Sequence, residues 1–367
     1  MLSARRAVLR LKEYHPPLGG RRGMRLDFNE NTSGCSPRVL ARLRAMDGET
    51  LSRYPEREPV EAAVAEFFGL DARQVLLANG VDEGIHLLCE TYLDAGDEVL
   101  IAVPTFSMYE IYALATGAKV ITIPPEPDFR YPTEALLRSI GPRTRMIAIA
   151  NPNNPTGTVV DEASLLRIAA AAPNAAVLVD EAYTEFYGKS IMSRVMELPN
   201  LFVARTFSKA YGMAGLRIGV LAGNAEQMRM VRRVGSPYSV NQAALACLPD
   251  AISDQRYIQD YVAQVLRGRD RLARELRVLG VPYWPSEANF ILTRIGEKRV
   301  AFVEAMRRRG ILVRDRNSDP GCAGCVRITV GTDAQTGKLL AALRESFVEI
   351  AWTSDWKKEH PQPAIGN

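Results

Sequence analysis

Short apolar runs alternate with helical patterns through the middle of the chain, and this alternation restricts the fold more than any other feature of the sequence. Gln74–Ala78 is a short apolar run followed by an Asn79-Gly80 turn and a helical pattern over Glu83–Leu93. Glu98–Val103 reads as a buried strand ended by Pro104, and Thr133–Ile140 as a short helix stopped by Gly141-Pro142. Arg145–Ala150, Ala176–Val179 and Leu201–Ala204 are further strand-like runs, and a helical stretch over Asp161–Ala172 separates the first two. Such a rhythm belongs to a mainly parallel α/β sheet.

The pattern changes after about residue 250. A long charged helical region, Ile258–Leu279, leads to a strand at Asn289–Arg294 and a helix at Lys298–Arg309 capped by Gly310. Strands at Ile311–Arg314 and Val326–Val330 follow, then a helix from Asp333. Fewer and more alternating strands here imply a smaller α+β domain. A chain of 367 residues exceeds one ordinary domain. The expected division is an N-terminal arm (1–25), a large domain (46–250), a small domain built from 26–45 and 251–352, and a loose tail (353–367).

Charge and cysteine usage narrow the function classes. The net charge of +4 is small and spread along the chain, which gives no reason to expect a nucleic-acid partner. The most apolar stretch, Ile168–Val179, is broken by Pro173 and Asn174, so no membrane span is expected. The N-terminus carries Arg5, Arg6, Arg10 and Lys12 without an apolar core, which reads as an amphipathic arm rather than a secretory signal. Five scattered cysteines argue for a reducing, cytoplasmic setting. Cys322-Ala-Gly-Cys325 lacks the two further ligands a structural zinc site needs, and no metal is expected.

The chemistry gathers at three strand ends. Arg145–Ala150 runs into Asn151-Pro-Asn-Asn154-Pro-Thr-Gly157, Ala176–Val179 into Asp180-Glu181-Ala182-Tyr183, and Leu201–Ala204 into Arg205-Thr206-Phe207-Ser208-Lys209. Open parallel sheets bind ligands at the carboxyl ends of their strands, so one edge receives Asn, Asp and Lys together. A lysine there could bind phosphate, act as a base or form an imine. Thr206, Ser208 and Arg217 surround it with groups suited to a phosphate. The Asn79-Gly80-Val81-Asp82 turn opens a helix whose free N–H groups suit one as well. Neither GxGxxG nor GxxxxGK[ST] occurs, which disfavours dinucleotides and P-loop chemistry. An amine for an aldehyde, an anion for a pyridinium nitrogen and a phosphate cradle are the requirements of pyridoxal 5'-phosphate.

NPNNPTG, DEAY, TFSKAYGMAGLRIG, NGVDEG and SRYPE, in that set, resemble the motifs of the class I/II aminotransferases of fold type I, and most of all the histidinol-phosphate aminotransferases. The resemblance runs from Leu26 to Gly331. It implies a seven-stranded, mainly parallel large-domain sheet with a smaller α+β domain, and a homodimer with shared active sites. It implies that Lys209 bonds the cofactor aldehyde and moves protons, that Asp180 pairs with the ring nitrogen, and that Asn154 and Tyr183 bond its phenolic oxygen. Thr206, Ser208, Arg217 and the backbone of Val81 and Asp82 would hold the phosphate, with Tyr54 reaching the partner's site. Phe106 would stack on the ring, where many relatives carry tyrosine. Arg327 would take the substrate carboxylate and Arg314 a substrate phosphate, with Tyr14 and Asn29 close to the substrate. Tyr109 fits core packing as well as the site. Asn29-Glu-Asn31 is followed by Thr32 where proline is common, and Ser236–Gln242 is short, so the amino donor stays open. The implied reaction passes an amino group between histidinol phosphate and 2-oxoglutarate in histidine biosynthesis. An aromatic amino-acid aminotransferase, a decarboxylase of a phosphorylated amino acid and a regulatory cofactor-binding module are the competing readings.

Overall fold

The computed structural model describes residues 2–15, 20 and 22–353. The polar tail from residue 354 onward, expected to be loose, lies outside the described residues. Eleven strands form two sheets among the described residues: β1 (Met24–Leu26), β2 (Val75–Ala78), β3 (Glu98–Ala102), β4 (Lys119–Ile123), β5 (Thr144–Ala150), β6 (Ala176–Asp180), β7 (Leu201–Thr206), β8 (Gly219–Gly223), β9 (Phe290–Arg294), β10 (Ile311–Asp315) and β11 (Cys325–Thr329).

The larger sheet has seven strands in the order β2-β8-β7-β6-β5-β3-β4. The β4–β3, β3–β5, β5–β6 and β6–β7 pairs are parallel, and β8 runs antiparallel to both its neighbours. Both faces are covered, which explains the apolar runs. Met146 and Ala148 of β5 pack with Ile85 and Leu88 on one face, while Ile147 and Ile149 pack with Leu165 and Ile168 on the other. Side chains alternate across a strand, so a strand between two helical layers is apolar at every position.

The smaller sheet has the order β1-β10-β11-β9, with β1 parallel to β10 and the other pairs antiparallel. Here the expected alternation is not seen as burial, because every residue of β11 is buried. Val326 and Ile328 face the core under the helix Gln255–Val278, whereas Arg327 and Thr329 face polar partners on the other side. No helix of the described residues is long and apolar enough to cross a membrane. Cys322 and Cys325 are free thiols packed with Phe129, Trp284 and Leu292.

Candidate active site

Strands β5, β6 and β7 are adjacent and end together, with Ala150 opposite Asp180 and Asp180 opposite Ala204. Their carboxyl ends open on a cleft of about 250 Å³. The turn after β6 is tied to β7 by buried Arg205, which pairs with Glu181 at 3.3 Å and Glu185 at 2.7 Å. That clamp fixes Asp180 and Tyr183 relative to Lys209, four residues along from Arg205.

One end of the cleft suits an anion. Gly80, at φ +78°, turns the chain from β2 into the helix Val81–Tyr92, and a Cβ there would lie 2.5 Å from Arg217 Nη2. No side chain caps this helix, so its first N–H groups face the cleft beside Thr206, Ser208 and Arg217. Arg217 Nη2 lies 2.8 Å from Asp82 Oδ2, which holds the guanidinium at the helix end.

The other end holds a buried carboxylate. Asp180 Oδ2 accepts from Tyr109 Oη at 2.7 Å and Oδ1 from the Ala182 N–H at 3.1 Å. Burial pushes its pKa up to about 6 against the pull of these hydrogen bonds. No lysine or arginine among the described residues pairs with it, which is the situation a protonated ring nitrogen would resolve. Between the two ends, Lys209 Nζ donates to the Phe28 carbonyl at 3.1 Å and lies 5.8 Å from the Tyr183 ring centroid. Tyr183 Oη accepts from Asn29 Nδ2 at 2.9 Å, and Thr329 Oγ1 of β11 donates to Asn29 Oδ1 at 2.9 Å. An anion cradle, an amine and a buried carboxylate in one cleft fit pyridoxal phosphate.

The cleft therefore brings together Val81, Asp82, Phe106, Asn154, Asp180, Tyr183, Thr206, Ser208, Lys209 and Arg217. Arg327 abuts it, donating through Nη1 to Asn154 Oδ1 and through Nη2 to the Asp27 carbonyl at 2.7 Å. Tyr14 and Arg314 line a neighbouring cleft of about 390 Å³ that shares Phe106. Tyr54 is not in the cleft; it is 78% exposed and packs on Tyr238, ring centroids 4.6 Å apart.

Three residues near the site carry little or no signal in the sequence. Tyr109 fits core packing equally well by sequence, and its bond to Asp180 joins residues far apart in the chain. Arg316 and Asp319 form an ion pair in the loop between β10 and β11, beside Arg314. Their only signal was a charged turn next to a strand-end arginine.

A lysine, a buried carboxylate and an uncapped helix end at the strand ends of a doubly covered sheet match what a pyridoxal-phosphate-dependent enzyme of fold type I requires. The chain belongs to the class I and II aminotransferases, whose family model matches residues 21–343. It is 36% identical to a histidinol-phosphate aminotransferase of Symbiobacterium thermophilum over 363 residues, 95% of this chain and 100% of the relative. It is 37% identical to that of Paracoccus denitrificans over 335 residues, 89% of this chain and 90% of the relative. The crystal structure of histidinol-phosphate aminotransferase from Sinorhizobium meliloti in complex with pyridoxal-5'-phosphate superposes with a TM-score of 0.86 at 25% identity, covering 94% of this chain and 97% of that one. The protein is a pyridoxal-phosphate-dependent aminotransferase.

Proposed function

We propose that this aminotransferase passes the amino group of histidinol phosphate to 2-oxoglutarate, as a step of histidine biosynthesis. The observation that carries the reading beyond the relatives' names is a set of arginines with unspent donors. Arg314 of β10 stands directly opposite Arg327 of β11. Arg314 Nη1, Arg327 Nε and Arg316 Nε are all buried without an acceptor. Burial, with Arg316 and Arg314 nearby, draws the Arg327 guanidinium down to about 9, so it remains a cation at neutral pH. Buried donors left unmade are costly, and a phosphate monoester presents several acceptors and two charges to such a cluster.

When bound, pyridoxal phosphate supplies an aldehyde for the amino group and a protonated ring that draws electrons from the amine-bearing carbon. The chain does the rest. Ser208, Thr206, Arg217 and the N-terminus of the helix Val81–Tyr92 would hold the cofactor phosphate. Asp180 would keep the ring nitrogen protonated. Asn154 and Tyr183 would donate to the phenolic oxygen, with Phe106 against the ring. Lys209 Nζ would take the proton from the amine-bearing carbon and hold it for return once the amino group has been transferred. Arg314 holds the donor's phosphate, and Arg327 serves that phosphate and the 2-oxo acid's carboxylate in turn. Asn29 ties Tyr183 to the small sheet, and Tyr14 borders the substrate end.

Arg314→Ala should raise the KM for histidinol phosphate by about ten- to a hundredfold, the worth of one charged hydrogen-bond partner, and leave that for glutamate nearly unchanged. Equal effects on both, or a wild type active on phenylalanine and inert with histidinol phosphate, would favour the aromatic reading.

The position of Tyr54 supports a homodimer, since an exposed tyrosine beside Tyr238 has no role in its own cleft. Sedimentation of the loaded protein should give a dimer, and Tyr54→Ala should weaken cofactor retention. A monomer with full activity would refute the shared site. Five free thiols support a cytoplasmic setting.

A further inference from the structure

Tyr109 makes a contact that the reaction as described leaves unused. It is 1% exposed in the helix Met108–Thr116, and its ring packs edge-on to Phe106, centroids 5.6 Å apart at 84°. Packing thus fixes where its hydroxyl points. The hydroxyl is 2.7 Å from Asp180 Oδ2, and the Ala182 N–H takes Oδ1. Two of the carboxylate's four acceptor positions are then occupied, and the others remain for a ring N–H.

We propose that Tyr109 is a positioning residue: its hydroxyl holds Asp180 ionised and aimed, so that the carboxylate can pair with the cofactor's ring nitrogen in a buried site. The inference rests on the reading of Asp180 given above. Burial alone would favour the neutral acid. The other groups facing Asp180 do not offset that. Asp82, from the helix Val81–Tyr92, and Glu181, next in the chain, are carboxylates that push the same way, although Arg217 and Arg205 pair with them. Tyr183 and Lys209 line the same cleft, and the hydrogen bond of Lys209 Nζ goes to the Phe28 carbonyl rather than to Asp180. The stabilising contacts are Tyr109 and the Ala182 N–H. Burial and the adjacent carboxylate push the Tyr109 hydroxyl well above its ordinary range, so it stays neutral and always has a proton to donate.

Tyr109→Phe keeps the ring and removes only the donor. The test is titration of the full-length chain, stripped of pyridoxal phosphate, with pyridoxal phosphate itself across pH 5 to 9, following absorbance. In the wild type, affinity should fall on the acid side as Asp180 takes a proton. In Tyr109→Phe the acid limb should move up by about one to two pH units. Affinity on that acid limb should then be about ten- to a hundredfold weaker, at neutral pH about two- to tenfold weaker, converging on wild type at high pH. A packing defect would weaken binding equally at every pH, and that result would overturn the proposal. So would an unmoved acid limb in Tyr109→Phe while Asp180→Ala binds poorly throughout. In an Asp180→Ala background, Tyr109→Phe should add nothing. If Asp180→Ala alone kept wild-type affinity and pH profile, the reading of Asp180 itself would fall, and this one with it.

Discussion

Lys209→Ala should have turnover at least about ten-thousandfold below wild type while keeping its fold. Lys209 stands just past the carboxyl end of β7, in one cleft with Thr206, Ser208, Arg217 and the carboxylate of Asp180. Under the proposed function its amine has two duties there, bonding the cofactor aldehyde and moving the proton of the amine-bearing carbon. Loss of a positioned base costs about 10²–10⁴ on its own, and loss of the covalent attachment adds to it. Lys209→Arg should fail equally, because the charge is preserved and the nucleophile is not. Borohydride treatment of the loaded wild type should fix the cofactor on the peptide containing Lys209. Finding it on another lysine would sink the assignment, as would a Lys209→Ala enzyme within tenfold of wild type.

The second large effect is expected at Asp180. Removing the carboxylate leaves the ring nitrogen without an anion, so electrons released at the amine-bearing carbon are drawn away less strongly. Asp180→Ala should lower kcat by about a hundred- to a thousandfold at saturating cofactor, as removal of one preorganised electrostatic partner does elsewhere. Asp180→Asn preserves shape and can still accept from Tyr109, yet should be nearly as slow, because charge is the property required. Steady-state kinetics beside circular dichroism separate this from misfolding, and near-normal turnover in either variant would contradict the role.

The parts of the fold that were legible owe it to burial. β5, β6 and β7 are covered on both faces, so they read as apolar runs, and the cleft-facing residues Asn154, Asp180 and Lys209 lie within a few residues of where each run stops. β4 is different. It is an edge strand, Lys-Val-Ile-Thr-Ile, mostly open to solvent, and without two packed faces it carries no continuous signal. β8 begins and ends in glycine and reads as a turn, yet its Gly219 is needed where a Cβ would press within 2.8 Å of the Val81 nitrogen. β1 has three residues, and its partner β10 lies almost 300 residues away.

That Asn154, Asp180, Ser208 and Lys209 share one cleft followed from strand ends and turn chemistry. Tyr109 could not be resolved from sequence, because a tyrosine buried for packing and one buried to hold a carboxylate present the same pattern. Arg316 and Asp319 sit in a turn-rich loop, where charged residues read as solvated until β11 sets Arg327 against β10.

The most direct test is a half-reaction. Loaded wild-type enzyme mixed with histidinol phosphate and no 2-oxo acid should lose the absorbance of the enzyme-bound aldehyde form, releasing one oxo product per site. Adding 2-oxoglutarate should then restore the absorbance and yield glutamate. An unchanged spectrum with histidinol phosphate, alongside a full response to phenylalanine or release of carbon dioxide from a phosphorylated amino acid, would contradict the account.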